Sequence, residues 1–326
     1  MTSVLRAACW SVALAVATAI TSISHAASSY PSHPVRVIVP FAPGGVVDVM
    51  ARILTTRLSL DMGERFYIEN LGGAGGNIGT QKARVAANDG YTLLITSSSF
   101  VVNPSLRKSP YVPVADFVPI SIAAASPNVL VVNPAVPAKT VADLVADIKR
   151  SPDKFSFASA GVGTTPHLSG ELFNLSTGLH LVHVPFPGAG PALQSTAGGH
   201  TPIAFSSLPS AVPLIKNGSL RALATTSAKR VDALPDVPTM AEQGFAGQEA
   251  ETLVFILAPV GTPPEIVGQL SEELRKLLQN AQVEKQLDAL GFRALATTPD
   301  QSAQRVREEI AKWSKVIRGA KLRVDD

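Results

Sequence analysis

The sequence predicts an α/β protein in which parallel sheets are joined by crossover helices, arranged as two domains. Three observations carry this. Short β-like runs alternate with helical patterns almost from end to end. The chain of 326 residues exceeds what one ordinary core accommodates. Turns rich in glycine or hydroxyl residues recur where a strand passes into a helix, and in such sheets ligands gather at the carboxyl ends of strands.

Taken in order, VRVIV (35–39) reads as the first strand and leads into the helix of VVDVMARILTTRLS. FYIEN (66–70), a helix around IGTQKARVAA and the strand YTLLI (91–95) follow. Later strand patterns are NVLVV (128–132), FSFAS (155–159), HLVHV (180–184), PIAF (202–205) and LRALATT (220–226). Helices fall between them: VADLVADIKR after Thr140, HLSGELFNLS after Pro166, and PALQSTAG after Gly190. TLVFILAP (252–259) is a fully apolar strand pattern. PPEIVGQLSEELRKLLQNA and QSAQRVREEIAKWSKVIRGA read as two long amphipathic helices, started by Thr262-Pro263 and Pro299-Asp300. These helices are expected on the outside of the first domain, so the chain crosses to the second through NVLVV and returns near residues 245–255. RALATT occurs at 221–226 and again at 293–298, but the flanks differ, which marks two similar strands rather than a repeat.

The first 26 residues have the order of a secretory signal: Arg6, an apolar stretch from Ala7 to Ile23, and the small-x-small site Ser24-His25-Ala26. The Ser and Thr content of the stretch and the cleavage site weigh against a permanent membrane anchor. Removal leaves 300 residues, and the only cysteine, Cys9, leaves with the signal. An exported, periplasmic protein without disulfides is expected. The formal charge of +3 falls to +2 without Arg6. With 16% charged and 6% aromatic residues and no basic run, nucleic acid is excluded as a partner.

Four strand-to-helix turns carry candidate chemistry. Phe41-Ala42-Pro43-Gly44-Gly45 precedes a helix start, where unpaired N–H groups carry partial positive charge. That suits a carboxylate, although a tight turn without a ligand fits the same residues. Val46 and Val47 leave such a backbone site intact and make its wall apolar. TSSS (96–99) places Thr96, Ser97 and Ser98 where hydroxyls could donate to an anion. In the third turn Gly163 and Thr164 precede Thr165, read as the helix N-cap, and Pro166. PFPGAG (185–190) again joins strand to helix through glycines. Two such turns per domain would make a cleft lined by opposed helix N-termini.

Sharper enzymatic patterns are absent. GGAGGNIG (72–79) and GVGTTP (161–166) lack the glycine spacing of a dinucleotide loop, and there is no Walker lysine or Gly-x-Ser-x-Gly elbow. His180 and His183, three apart on an expected strand, point to opposite faces, so no metal site is expected. His167 could act as a general base, but a helix-start residue that packs at the loop explains it as well. Glu171 and Asp48 read as helix-end charges. No cofactor is called for.

PFAPGGVVDVMAR, ENLGGAGGNIG, DGYTLL, the stretch from NVLVV to GTTPHLSGELF, HVPFPGAGPAL, LRALATTSAKR, LPDVPTMAEQGF and APVGTP together resemble the Bug receptors. These are the extracytoplasmic solute-binding proteins of the tripartite tricarboxylate transporter type, and the resemblance covers essentially the whole mature chain in order. It implies a type II periplasmic-binding-protein fold: two Rossmann-like lobes with a hinge and a ligand cleft between them. It places the first pincer loop on Phe41, Ala42, Gly44 and Gly45, and the second on Gly163, Thr164, Thr165 and His167. The hydroxyl turn falls on Thr96, Ser97 and Ser98, with Pro187, Gly188 and Ala189 below. Family members usually carry Thr or Ser where Val46 and Val47 stand, Asp and Asn where Ser206 and Ser207 stand, and often Trp at Leu253. Losing the acid argues against an amino-acid ligand, whose ammonium would want a carboxylate partner. A mono- or dicarboxylate with an apolar or aromatic body is expected instead.

The expected function is a periplasmic receptor that captures a small carboxylate-bearing solute and hands it to membrane permease subunits or reports it to a sensor protein. Domain 1 is expected to comprise residues 27–128 and 250–326, and domain 2 residues 129–249. A monomer is expected. A secreted hydrolase or isomerase using His167 and a loop serine is the alternative.

Overall fold

The computed structural model describes residues 30–319, and a single compact unit begins at His33. The signal expected at residues 1–26, with Arg6 and Cys9, lies outside the described residues. β1 (Val35–Val39) runs into α1 (Val46–Met62), β2 (Phe66–Asn70), α2 (Asn77–Arg84), β3 (Thr92–Ser97), α3 (Ser99–Leu106), the one-turn α4 (Pro113–Asp116) and β4 (Phe117–Val132). α5 (Val141–Arg150), β5 (Ser156–Ser159), α6 (Thr165–Thr177), β6 (Val182–Pro185), α7 (Ala189–Ala197), β7 (Ile203–Ser207), α8 (Leu208–Lys216) and β8 (Arg221–Thr225) follow. The last described elements are β9 (Glu251–Pro259), α9 (Pro264–Leu278), α10 (Ala281–Ala289), β10 (Arg293–Ala294) and α11 (Pro299–Gly319).

The strands are ordered β2-β1-β3-β9-β4-β7-β5-β6, with β8 and β10 also pairing with β4. β2, β1 and β3 are parallel, as are β7, β5 and β6, and crossover helices connect them. β4 joins the two parallel sets. Its first part, from Phe117 to Pro127, pairs antiparallel with β9, and its last part, from Asn128 to Val132, pairs with β7. The changeover falls at Pro127, a residue with no N–H to leave unpaired. Each copy of RALATT contributes a strand to β4: Arg221 and Ala222 lie against Val132 and Val131, Arg293 and Ala294 against Ala125 and Ala124.

Each half has its own core. Phe100, Tyr111, Phe117, Phe255 and Trp313 pack on one side of the changeover, and Leu130, Phe157, Phe173 and Phe205 on the other. α9 and α11 both pack on β4, and α11 also covers α3, so they lie against the first half. α5 shows how local sequence sets an end. Thr140 accepts from the Asp143 N–H while the Asp143 carboxylate accepts from the Thr140 N–H, a closed capping box.

Several expectations are corrected. The strand expected over NVLVV is the tail of a 16-residue strand that starts at Phe117. The segment ending in LLQNA forms α9 as expected, and a further helix not anticipated, α10, follows it, capped by Asn280, which accepts from the Gln282 and Val283 N–H groups. His180 lies outside β6, so it does not share a strand with His183. TSSS is no turn: Thr96 and Ser97 end β3, Ser98 is the N-cap of α3, and Ser99 is its first residue.

Gly79, in α2, is held against backbone. A Cβ there would lie 2.7 Å from the Pro40 Cα and 2.8 Å from the Leu71 carbonyl oxygen. Gly79→Ala is therefore expected to destabilise the protein by about 1–3 kcal/mol, despite the gain in helix propensity of roughly 1 kcal/mol. A urea midpoint equal to or above that of the parent protein would contradict this.

Candidate functional site

The strand ends and helix starts of both halves meet at one cavity. Its apolar wall is Phe41, Val46, Val47, Ala160, Pro166 and Ala189, and its hydroxyls are Ser97, Thr164, Thr165, Ser207 and Thr252, with Gly45 at the floor of the first loop. No charged side chain lines it. The space is tight: ≈ 20 Å³ is open to the centres of water-sized spheres, room for one or two waters.

Helices α1, α6, α7 and α8 begin at this wall, α8 from Ser207 with no side-chain cap. α1 is capped by Gly45, with no side chain taking up its first N–H groups. α7 starts in the same way from Gly188. α6 starts from Thr164, not from Thr165 as the sequence suggested: the Thr164 hydroxyl accepts from the His167 N–H, and Thr165 is the first helical residue. At each start the leading N–H groups lack intrahelical acceptors and carry the positive end of the helix dipole.

The first loop is tied down from behind. The Gly44 N–H donates to Asp48 (3.0 Å), and the Asn70 amide donates both to the other Asp48 oxygen and to the Phe41 carbonyl (3.0 Å each). Arg52 completes the carboxylate's shell. Burial pulls the Asp48 pKa upward, but the bonds from Arg52, Gly44 and Asn70 outweigh it and leave the carboxyl more acidic than usual. Asp48 is thus the helix-end charge expected, in the first turn of α1, and also a buried anchor of the loop. The PFPGAG turn (185–190) lies against the first loop: the Ala42 N–H donates to the Pro187 carbonyl (3.1 Å). A Cβ on Gly188 would come within 2.9 Å of that Ala42 nitrogen, so this approach needs glycine.

Beneath the cavity the changeover is knotted by side chains. Asn128 accepts from Thr252 (3.1 Å) and Ser207 (3.5 Å) and donates to Ser169 (2.9 Å). Thr252 also meets Ser207 at 2.9 Å and Thr165 at a shorter distance. The Asn128 N–H donates to the Thr226 hydroxyl, which donates to the Ala250 carbonyl. Ser98 accepts from the Leu253 N–H (2.9 Å), which fixes β9 beside the first half.

Of the residues expected at the cleft, Phe41, Gly45, Val46, Val47, Ser97, Thr164, Thr165 and Ala189 line the cavity. Ala42, Gly44, Gly163, Pro187 and Gly188 stand in the loops behind that lining. Thr96 is fully buried with its hydroxyl unpartnered, and Ser98 serves β9. Ser206 is a correction: its hydroxyl turns to the Ser207 carbonyl, and Ser207, the next residue of the strand, lines the cavity. Ala160, Pro166 and Thr252 were not singled out. Thr252 carried no local signal, since it begins an apolar strand remote in sequence from every turn.

His167 is also set back. Its Nδ1 accepts from the Gly163 N–H (3.3 Å) and its ring lies 4.2 Å from that of His183, whose Nε2 meets the Ser159 hydroxyl at 2.7 Å. Burial, then the neighbouring His183 and Arg107 charges, lower the His167 pKa to about 3, and burial lowers that of His183 to about 4. Glu171, within α6 rather than at its end, sits 3.7 Å from His167 Nε2. Burial raises its pKa. Ser159 is fully buried and occupied by Gly161 and His183, so this group is a packed support for the Gly161–Gly163 turn.

A cleft between two parallel α/β halves, joined by crossing strands and lined by helix N-termini, defines a two-lobed solute-binding protein of the periplasmic type. Residues 50–322 match the family described as "Tripartite tricarboxylate transporter family receptor", and the chain belongs to it. It is 38% identical to Protein BugT of Bordetella pertussis over 96% of this chain and 97% of that one. Among solved structures it resembles R. palustris Rpa4515 with adipate (35% identity, 90% of this chain and 98% of that one, TM-score 0.87). It also resembles MatC (Rpa3494) from Rhodopseudomonas palustris with bound malate (31% identity, 88% and 100%, TM-score 0.82).

The two buried histidines give a pH signature. Their folded pKa values lie below the ordinary histidine value, so the unfolded chain binds more protons between about pH 6.5 and 4. Stability is full above that window and falls as pH drops through it; Glu171, raised by burial, binds its proton more tightly in the folded chain and offsets part of that fall. The denaturation midpoint is expected to fall from pH 7 to pH 5. The double substitution His167→Asn, His183→Gln, which keeps the ring-nitrogen acceptors as amides, should flatten that slope. An unchanged slope would contradict the assignment.

Proposed function

We propose that this protein is an exported receptor that captures a small carboxylate-bearing solute in the cleft between its lobes, for uptake or sensing, and performs no catalysis. The observation that carries this is the convergence of helix N-termini from both halves on a cavity with no charged side chain in its lining. Backbone N–H groups at helix starts hold a carboxylate without an arginine clamp. The adipate and malate bound by two relatives support the same ligand class. Among the described residues the lobes are 30–128 with 250–319 and 129–249, hinged where β4 and β9 pass between them. Ligand held between the lobes favours the closed state through contacts that the open state cannot make. The closed cleft then presents one surface to permease subunits or to a sensor. Export is supported by the signal pattern and by the family; among the described residues no helix is long and apolar enough to cross a membrane. Against a hydrolase, His167 is walled off behind Gly163 and no serine lining the cavity is bonded to a histidine.

A thermal-shift screen tests this with butanoate, adipate, malate, amino acids and sugars. A ligand at 100-fold excess over Kd adds about 2.7 kcal/mol, which raises Tm by on the order of 5 °C. Carboxylates are expected to give such shifts and sugars none. Gly45→Val should abolish the shifts without unfolding the protein, because a Cβ on Gly45 meets nothing closer than 3.7 Å. Shifts by sugars alone, or by no carboxylate, would overturn the proposal.

A further inference from the structure

GGAGG (72–76) lacks the spacing of a dinucleotide loop, yet its backbone is specialised. Gly73, Ala74, Gly75 and Gly76 all have φ between +49° and +129°, the left-handed side that favours glycine. The segment is fixed to the first half. The Asn103 amide, from α3, donates to the Gly75 carbonyl (3.0 Å) and to the Asn77 side-chain oxygen (2.8 Å), and the Thr80 hydroxyl donates to the Gly76 carbonyl (2.8 Å). Its other side faces the Gly161–Gly163 turn of the second half. A Cβ on Gly75 would lie 2.1 Å from the Val162 carbonyl oxygen, and a Cβ on Gly163 would lie 2.1 Å from Asn103 Oδ1. Arg107 also reaches the Val162 carbonyl, at 3.5 Å.

Clearances of this size admit no side chain at either glycine. Asn103 cannot swing aside, because it is fully buried and both donors of its amide are used. A left-handed φ alone would favour glycine at 75 within its own turn. The lack of room for a Cβ is a separate requirement, imposed by the other half of the molecule. The turn that Gly75 meets leads into α6 and flanks Ala160 and Thr164, which line the cavity. Opening at the hinge would part Gly75 from Val162, so this contact belongs to the closed state alone.

We infer that Gly75, with Asn103 and Arg107 beside it, is a positioning residue for solute capture: the GGAGG segment is the seat that receives the Val162 turn when the lobes close. The inference rests on the receptor reading, in which a solute is held between the lobes, and adds to it a contact that involves no ligand atom. Apparent affinity scales with the fraction of molecules able to reach the closed state. A side chain in the seat therefore weakens capture without touching the solute, and it opens the protein even when no solute is present.

Gly75→Ala tests this, with Gly178→Ala as its matched control. Gly178, at the end of α6, has φ 65° and ψ 23° against 62° and 26° at Gly75, but a Cβ there meets nothing within 4 Å. Both variants carry the same backbone strain, and only one fills the seat. Small-angle X-ray scattering of the purified protein, with and without excess adipate or malate, reads closure, and isothermal titration with the same two acids reads affinity. Gly75→Ala is expected to have a larger radius of gyration than the parent protein and to bind about tenfold more weakly. Gly178→Ala should match the parent in both. A folded Gly75→Ala with the parent's radius and affinity, or equal losses in the two variants, would overturn the inference and leave the receptor reading standing. Should Gly75→Ala not fold, Arg107→Met, which removes a donor from the Val162 carbonyl, is expected to weaken binding about threefold, and no change there would overturn it. Failure of the parent to bind either acid would count against the receptor reading. Scattering without ligand then decides the inference, and equal radii for the parent and Gly75→Ala would overturn it.

Discussion

The hydrogen bonds around Asn128 are the constraint on which the cleft depends. Two strands cross between the halves, and Asn128 on β4 is bound to Thr252 on β9, to Ser207 at the end of β7 and to Ser169 in α6. Thr226 ties the same crossing to Ala250. These are buried polar groups in a low-dielectric site, so leaving any of them unpaired is costly, and the set acts as a unit. It fixes the floor of the cavity by holding β4, β7, β9 and α6 together. A hinge placed at this crossing can open the loops above while the knot below stays intact.

The loops that expose backbone N–H groups to the cavity are held by groups outside it. Asp48 and Asn70 fix the Phe41–Gly45 loop from behind, while Ser159, His183 and His167 support the Gly161–Gly163 turn. The charged and titratable residues near the cleft are supports. The lining itself is neutral, and its anion affinity is a property of oriented dipoles.

Much of this was legible in the sequence because the signals were local. The alternation of strands and helices, the glycine turns before α1 and α7 and the threonine-proline start of α6 all announce themselves within a few residues. The cap of α6 was misread by one position because Thr164 and Thr165 are equally good caps, and only the bond from the His167 N–H decides between them. The first part of β4 was missed because alanines have weak strand preference and Pro119 and Pro127 argue against a central strand. The cavity roles of Thr252 and Ser207, and the bond from Asn70 to Asp48, were not legible, because these partners lie 22 to 124 residues away in sequence.

The central claim is that backbone N–H groups at the helix starts, not a charged side chain, hold the ligand carboxylate. Amide proton and nitrogen chemical shifts of the labelled protein, recorded with and without saturating butanoate, test it most directly. The Val46, Val47, Thr165 and Ala189 amide protons are expected to move downfield together, as donors to an anion do, with the Arg107 guanidinium unmoved. Butanoate bound with those four amides unchanged and the Arg107 signals displaced would contradict it.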